Sequence, residues 1–165
     1  MITCTFEEGG NASLRHVVLT TIVNRNNQIL LGKRGTYNGK PISEYGKWGP
    51  PGGFLERDET IAQAAAREVL EESGWTIKNL KLFRINDNPN RPAEDRQNVD
   101  FIYLAEGVKK IGNHDEEVQE QKWFDLVDLP SHEEFAFDHY ENIKLYLEYL
   151  KKPFPLPCTS IKFSA

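Results

Sequence analysis

Between Arg15 and Val23 the chain reads RHVVLTTIV, dense in β-branched residues, and after the polar NRNN at 24–27 the apolar pattern resumes as QILLGKR. These runs predict two strands joined as a hairpin. From Gly35 to Gly53 there are six glycines and three prolines, too much punctuation for a helix or a central strand, so a long loop is expected. Thr60 with Gln63 forms a capping-box pattern, AQAAAREVLEE consists of good helix formers, and Gly74 stands where a left-handed residue ends a helix. A helix is predicted over roughly 60 to 73. LKLFRIN and NVDFIYLAE read as strands flanking a second loop, DNPNRPAEDRQ, and VQEQKWFDL as a further strand. A last helix is expected to start near Ser131, where Glu134 completes another capping box. Its apolar stripe is Ile143, Tyr146, Leu147 and Leu150, and KKPFPLPC ends it. Strands, helix, strands, helix in this order predict an α/β fold, a mixed sheet covered by helices.

At 165 residues and 39% hydrophobic, the chain is expected to form a single domain spanning 1–165. A formal charge of −5 disfavours a footprint on polymeric nucleic acid or a membrane surface, both of which reward a basic face. The expected partner is therefore a small molecule, and a homodimer is compatible with the composition. No apolar run approaches the ~20 residues of a membrane span, and MITCTFEEGG lacks an export pattern, so a soluble, cytoplasmic protein is expected. Cys4 and Cys158 are the two cysteines, with no spacing that suggests zinc or a disulfide framework. Asn11–Ser13 matches a glycosylation acceptor by chance.

Candidate chemistry concentrates in GGFLERDETIAQAAAREVLEESGW, Gly52 to Trp75. On a helix, Glu68, Glu71 and Glu72 share a face, and like charges so close repel. A solvated acidic face is one reading, but Arg67 alone offsets the cluster. A divalent cation among the carboxylates is the other, and the hard ions Mg²⁺ and Mn²⁺ prefer oxygen ligands while retaining waters. The glycines would let backbone approach metal and phosphate closely.

The spacing itself is specific: Gly53, five residues, Glu59, seven residues, Arg67, Glu68, Val69, Leu70, Glu71, Glu72, Ser73, Gly74, Trp75. It resembles the Nudix hydrolase signature at every specified position, and a chance match is on the order of one in 10⁸. LLGKR, KWGPPGGF, EVQEQKWFDLVDLP and AFDH also look like this family. The resemblance covers roughly residues 15 to 150, with the motif at 53–75, a C-terminal helix at about 132–151 and a tail at 152–165. Asp58 departs from it, since many relatives carry glycine there. The resemblance implies a Nudix α/β/α sandwich with a mixed sheet between helices. It also implies that Glu68, Glu71, Glu72 and the carbonyl of Gly52 hold Mg²⁺, for which Mn²⁺ substitutes, while Glu59 and Arg67 orient the glutamates.

Around that motif, Arg25, Lys33, Arg34, Lys40 and Lys47 form a positive run, and Arg34 is the favoured phosphate contact. Arg91 and Arg96 are candidates for a distal phosphate or sugar, and Phe54 or Tyr37 for stacking on a base. Glu116, Glu117 and Glu120 stand where relatives often place a general base, and Glu117 is carried forward as the candidate. Trp123 reads as core. The expected activity is Mg²⁺-dependent pyrophosphatase action on a nucleoside diphosphate linked to another group, ADP-ribose first. A (d)NTP pyrophosphohydrolase of the nucleotide pool is the alternative enzyme. A non-catalytic nucleotide-sensing domain is the alternative of another class.

Overall fold

The structure is a computed structural model that describes residues 3–5, 11–13, 15–93 and 98–159. Strands β1 (Thr3–Thr5) and β2 (Asn11–Ser13) form a separate antiparallel ribbon. The long strands β3 (His16–Arg25) and β4 (Gln28–Arg34) join through Asn26 and Asn27, both at positive φ (50° and 61°), as expected of the NRNN turn. The chain continues through β5 (Thr36–Tyr37), β6 (Lys40–Pro41), β7 (Trp48–Gly49) and β8 (Gly52–Phe54) into the helix α1 (Ile61–Ser73). Strands β9 (Trp75–Asn86), β10 (Asn98–Lys110) and β11 (Val118–Asp125) precede the helix α2 (His139–Lys151) and a short β12 (Cys158–Thr159).

One mixed sheet in the order β11-β4-β3-β10-β9-β12 forms the centre, with β3–β10 parallel and its neighbours β10–β9 and β11–β4 antiparallel. Strands β3 and β4 pair at Asn24–Ile29 and Arg25–Gln28 and then part. Beyond that point β3 takes β8 as its partner through Val18, Leu19 and Thr20, and β4 takes β7 through Gly32 and Lys33. The Gly35–Gly53 stretch is thus less irregular than expected, because its backbone fills the opened sheet. Pro50 and Pro51 suit the crossing, since neither needs to donate there, and Thr21 N–H donates to the Pro51 carbonyl at 2.8 Å.

Alternation along β3 and β4 assigns the two faces. Val23 and Leu30 pack with Val69 of α1 and with Trp75, and Leu19 packs with Ala64 and Ala65 of the same helix. Ile22, Ile29 and Leu31 pack with Ile143 and Tyr146 of α2. The helices therefore cover opposite faces, the expected α/β/α sandwich. Burial on both faces explains why these strands read as continuous apolar runs. Trp123, read as core, is partly buried and meets Trp75 edge to face at 5.1 Å.

The C-terminal helix differs from expectation. The Ser131–Glu134 capping box caps a single 3₁₀ turn, His132–Glu134, and α2 begins at His139. Between them Phe135 is buried, Ala136 N–H donates to the Trp48 carbonyl at 2.9 Å, and Phe137 stands at φ 50°. Packing and β7 backbone pairing outcompete helix propensity over these residues. The buried stripe of α2 is His139, Asn142, Ile143 and Tyr146, whereas Leu150 is 47% exposed. Two of the inward positions are polar, so an apolar-periodicity reading shifts the stripe.

Gly74 closes α1 at φ 68°, donating its N–H to the Leu70 carbonyl, and a Cβ there would stand 2.1 Å from the Gly112 carbonyl oxygen. Gly39 at the β5–β6 tip has φ 72° with nothing within 4 Å of such a Cβ. Gly39→Ala should therefore cost about 1 kcal/mol, the left-handed penalty alone. Gly74→Ala should cost about 3 kcal/mol or more, since steric conflict with backbone adds to that penalty. Urea unfolding of the two variants tests the difference, and equal losses would refute the packing assigned to Gly74.

Candidate active site

Helix α1 is fixed at both ends by local chemistry. Thr60 caps its start with the reciprocal Gln63 box, at φ −82° and ψ 156°, and Gly74 terminates it. Burial of Ala64, Ala65, Val69 and Ser73 against the sheet turns Glu68, Glu71 and Glu72 toward the gap where β8 lies. Asp58, the departure from the motif, adopts φ 69° just ahead of the cap. Aspartate tolerates this region better than most residues, so the turn survives without glycine.

Glycine at 52 and 53 answers a demand for space. A Cβ on Gly52 would lie 2.1 Å from the Leu19 carbonyl oxygen, and one on Gly53 would lie 2.6–2.7 Å from the Glu68 carboxyl group. The β8 backbone thus passes against a carboxylate with no side chain between them. Gly52 N–H donates to Glu72 Oε2 at 2.9 Å.

Arg67 binds the other acids together. It meets Glu59 through Nε–Oε2 at 3.1 Å and Nη2–Oε1 at 2.8 Å, a two-pronged pair. Its Nη1 reaches Glu68 Oε1 and Glu71 Oε2, both at 2.9 Å, and Nη2 also donates to the Phe54 carbonyl at 3.1 Å. The guanidinium pKa is raised above its already high value, first by Glu59, and that of Glu59 is lowered, first by its hydrogen bond with Arg67. Glu68 and Glu72 go the other way. Burial pushes Glu68 up to about 7 despite Arg67, with Glu71 and Glu117 adding repulsion. Burial pushes Glu72 up to about 8 despite the Gly52 N–H, with Glu68 and Asp115 adding repulsion.

The loop between β10 and β11 contributes two more acids. Asp115 N–H donates to the Glu71 carbonyl at 3.2 Å, and Glu117 N–H to Asp115 Oδ1 at 2.9 Å. Both carboxyl pKa values are raised, first by burial. Glu116 instead accepts from Asn38 N–H at 2.8 Å, holding the β5–β6 hairpin, and Glu120 stands exposed, 4.0 Å from Lys33 Nζ. Of the three candidates for a base, Glu117 is the one that lines the cleft.

That cleft, about 870 Å³, brings together Glu68, Glu71, Glu72, Asp115, Glu117, Arg34, Arg67, Arg91, Gly52, Gly53 and Phe54. Glu59 stands behind Arg67. Arg34 donates through Nε to the Ser43 carbonyl at 2.7 Å and packs over Phe137 at 5.0 Å. Phe54 is 48% exposed, edge-on to His16 at 5.5 Å, and Tyr37 is exposed at the rim. Arg96 lies outside the described residues. Sequence reasoning missed Asp115, Phe137 and His139. Asp115 was hidden in an acidic run, and the other two were visible only as part of AFDH.

Among the described residues no three acidic, histidine or cysteine groups are already drawn together around one point. Arg67 holds Glu68 and Glu71 instead. The donor set nevertheless suits a divalent cation: hard oxygen ligands, two of them half-buried with their pKa values raised by desolvation, beside backbone that carries no side chain.

The NUDIX domain model matches residues 13–146, and the chain belongs to this family of hydrolases. Over 133 residues it is 30% identical to an ADP-ribose pyrophosphatase of Methanocaldococcus jannaschii, covering 81% of this chain and 73% of that protein. It is 37% identical over 79 residues to the NAD-capped RNA hydrolase NudC of Salmonella paratyphi C, covering 47% of this chain and 29% of that one. Among solved structures, a NUDIX hydrolase of Nitrosomonas europaea superposes with a TM-score of 0.74 at 23% identity, over 97% of this chain and 93% of that chain. This last likeness bears on the fold.

The raised carboxyls predict a pH dependence of the metal-free protein. Folded Glu68 and Glu72 keep protons to about 7 and 8, whereas the unfolded chain releases them near 4.5. Their stabilising contribution is complete below that lower value and is lost as pH rises through the two folded values. In chelator, the urea midpoint should fall between pH 6 and pH 8.5, and fall less in Glu72→Gln. A wild-type midpoint that is flat or rising over that interval refutes the burial assigned to these groups.

Proposed function

We propose that this hydrolase cleaves the phosphoanhydride of a nucleoside diphosphate joined to a second moiety, ADP-ribose first among substrates, with Mg²⁺ as cofactor and Mn²⁺ able to replace it. The observation that carries the reading is the acidic face of α1 set against the bare Gly52–Gly53 backbone, in one cleft with Arg34. The relatives' names support the substrate class. One is an ADP-ribose pyrophosphatase and the other acts on NAD-capped RNA, and NAD contains the ADP-ribose unit. Both names therefore point to a diphosphate between a nucleoside and a second ribose.

In this reading Glu68, Glu71, Glu72 and the Gly52 carbonyl hold the cation, and Arg67 with Glu59 sets the rotamers of the glutamates. When bound, the cation neutralises charge on the phosphoryl oxygens and acidifies a ligated water. Glu117 takes the proton of the attacking water; burial keeps its carboxyl above the ordinary range, which suits a base working nearer neutrality. Arg34, a cation lining the same cleft, holds a phosphate oxygen, and Phe54 offers its exposed ring to the base. Gly53 leaves room for the Glu68 carboxyl to lie directly against the β8 backbone.

Parallel assays of ADP-ribose, nucleotide sugars, diadenosine polyphosphates and dNTPs in Mg²⁺ test the substrate. Preference for dNTPs would move the protein to nucleotide-pool hydrolysis, and tight binding with no turnover would make it a sensor. Glu71→Gln and Glu72→Gln should each lower kcat at least about 100-fold, with the thermal midpoint unchanged or higher because a repelling charge is gone. Glu117→Gln should lower kcat by about 10²–10⁴-fold, the usual range for a general base, while Glu120→Gln leaves it unchanged. Near-normal turnover in both Glu71→Gln and Glu72→Gln would eliminate the metal platform.

A further inference from the structure

Arg91, from the loop after β9, lines the same cleft but lives in a different electrostatic setting from Arg34. Its Nε donates to Asp138 Oδ1 at 2.8 Å and its Nη2 stands 3.8 Å from Asp100 Oδ2. The three side chains are 9%, 10% and 1% exposed respectively. These carboxylates are themselves fixed: Asn86 Nδ2 donates to Asp138 Oδ2 at 2.7 Å, and Thr20 Oγ1 donates to Asp100 Oδ2 at 2.9 Å. The guanidinium also packs over the Phe137 ring at 4.8 Å. Phe137 holds φ 50°, a costly conformation for a bulky side chain, so the surrounding structure imposes this placement.

We infer that Arg91 is a specificity-determining residue that reads the uncharged moiety beyond the diphosphate, as a rigid hydrogen-bond donor and not as a phosphate anchor. The inference rests on the proposed function and names the part of the substrate this corner of the site takes. Asp100 and Asp138 both stand against Arg91, so its charge is already engaged at close range by two carboxylates. The field of Arg34 reaches Glu72 and Glu117 on the acidic side of the cleft, where the proposed diphosphate would lie, and His139 as well.

What Arg91 retains is directional donor capacity. Its guanidinium has five N–H groups, of which Nε is committed to Asp138 and Nη2 faces Asp100. Asn98 and His139 line the cleft beside it. The imidazole Nδ1 of His139 is buried without a hydrogen-bond partner, and burial, then Arg91, pushes its pKa down to about 3. The corner is therefore stiff, and its cation is flanked by two carboxylates while keeping N–H groups to donate. Hydroxyl or carbonyl oxygens, such as those of a sugar, match it. Preorganisation by the Asp100–Asp138 pair and by Phe137 removes ordering cost from the grip.

The test is Arg91→Lys, which keeps the charge and the ion pairs but loses the planar fork. KM for ADP-ribose in Mg²⁺ should rise about tenfold or more, the loss of one hydrogen bond from a charged donor, with kcat at saturation retained. Inhibition by inorganic pyrophosphate, which carries phosphates alone, should be unchanged. Phe137→Leu, which leaves both carboxylates paired with Arg91, should shift KM in the same direction by a smaller factor. A parallel loss of pyrophosphate affinity would make Arg91 a phosphate anchor and overturn the inference. An unchanged KM with a lowered thermal midpoint would make it structural and overturn the inference equally. Failure of wild-type protein to hydrolyse ADP-ribose would overturn the functional reading alone. Calorimetric titration of ADP-ribose against pyrophosphate, wild type and variant, still reads Arg91 without turnover, and an unaltered affinity ratio refutes its role.

Discussion

The guanidinium of Arg67 is the contact on which the acidic site depends. Glu59, Glu68 and Glu71 all hydrogen-bond to it, and so does the Phe54 carbonyl of β8. One cation thereby ties the start of α1, its acidic face and the neighbouring strand together. It holds in register carboxylates that would otherwise repel. Arg67 does not reach Glu72, whose partner is the Gly52 N–H. Burial is the main cause that raises both Glu68 and Glu72, and neither Arg67 at the one nor the Gly52 N–H at the other offsets it fully. Burial, more than the placement of positive charge, sets the raised Glu68 and Glu72 apart from the lowered Glu59.

The sheet makes the space in which this charge arrangement sits. Had β3 and β4 remained paired beyond Asn24 and Ile29, no strand from the glycine-rich segment would lie between them. Their parting lets β7 and β8 enter, and the tight contacts of Gly52 with Leu19 and of Gly53 with Glu68 follow directly. Glycines that look like loop punctuation in the sequence are therefore steric requirements of a packed sheet. Strand divergence, helix burial and site geometry are one constraint expressed at three scales.

Much of this was legible because the chemistry is local. Thr60, Gln63 and Gly74 announce the ends of α1 through short-range rules, and the glutamate spacing fixes a shared face whatever the helix packs against. The β-branched run of β3, the apolar run of β4 and the Asn-rich turn between them are local signals of the same kind. Less legible was everything decided by long-range packing. The Ser131 capping box is real, yet Phe135 is drawn into the core and Ala136 onto β7, so the helix it heralds begins at His139. His139 and Asn142 are polar residues on an inward face, a pattern that apolar periodicity misreads. Glu116 and Glu117 are adjacent and alike in sequence. One clamps a hairpin and the other faces the cleft because of a turn set by Asp115.

The interruption before α2 also has a consequence for the site. A continuous helix from Ser131 would keep residues 135–138 in regular i, i+3, i+4 succession, and a helical Phe137 could not adopt φ 50°. Broken as it is, the segment sends Phe135 to the core, Phe137 to the ring contacts with Arg34 and Arg91, and Asp138 to the ion pair with Arg91. Three successive demands, for core packing, for an aromatic spacer and for a buried carboxylate, are met by four residues that a helix would have pointed elsewhere. The conformational cost of a left-handed phenylalanine, on the order of 1–3 kcal/mol, is retained because the same strand of chain joins the α2 layer to the cleft wall. Arg34 and Arg91, which begin as similar cations in the sequence, acquire different settings from this one irregular turn.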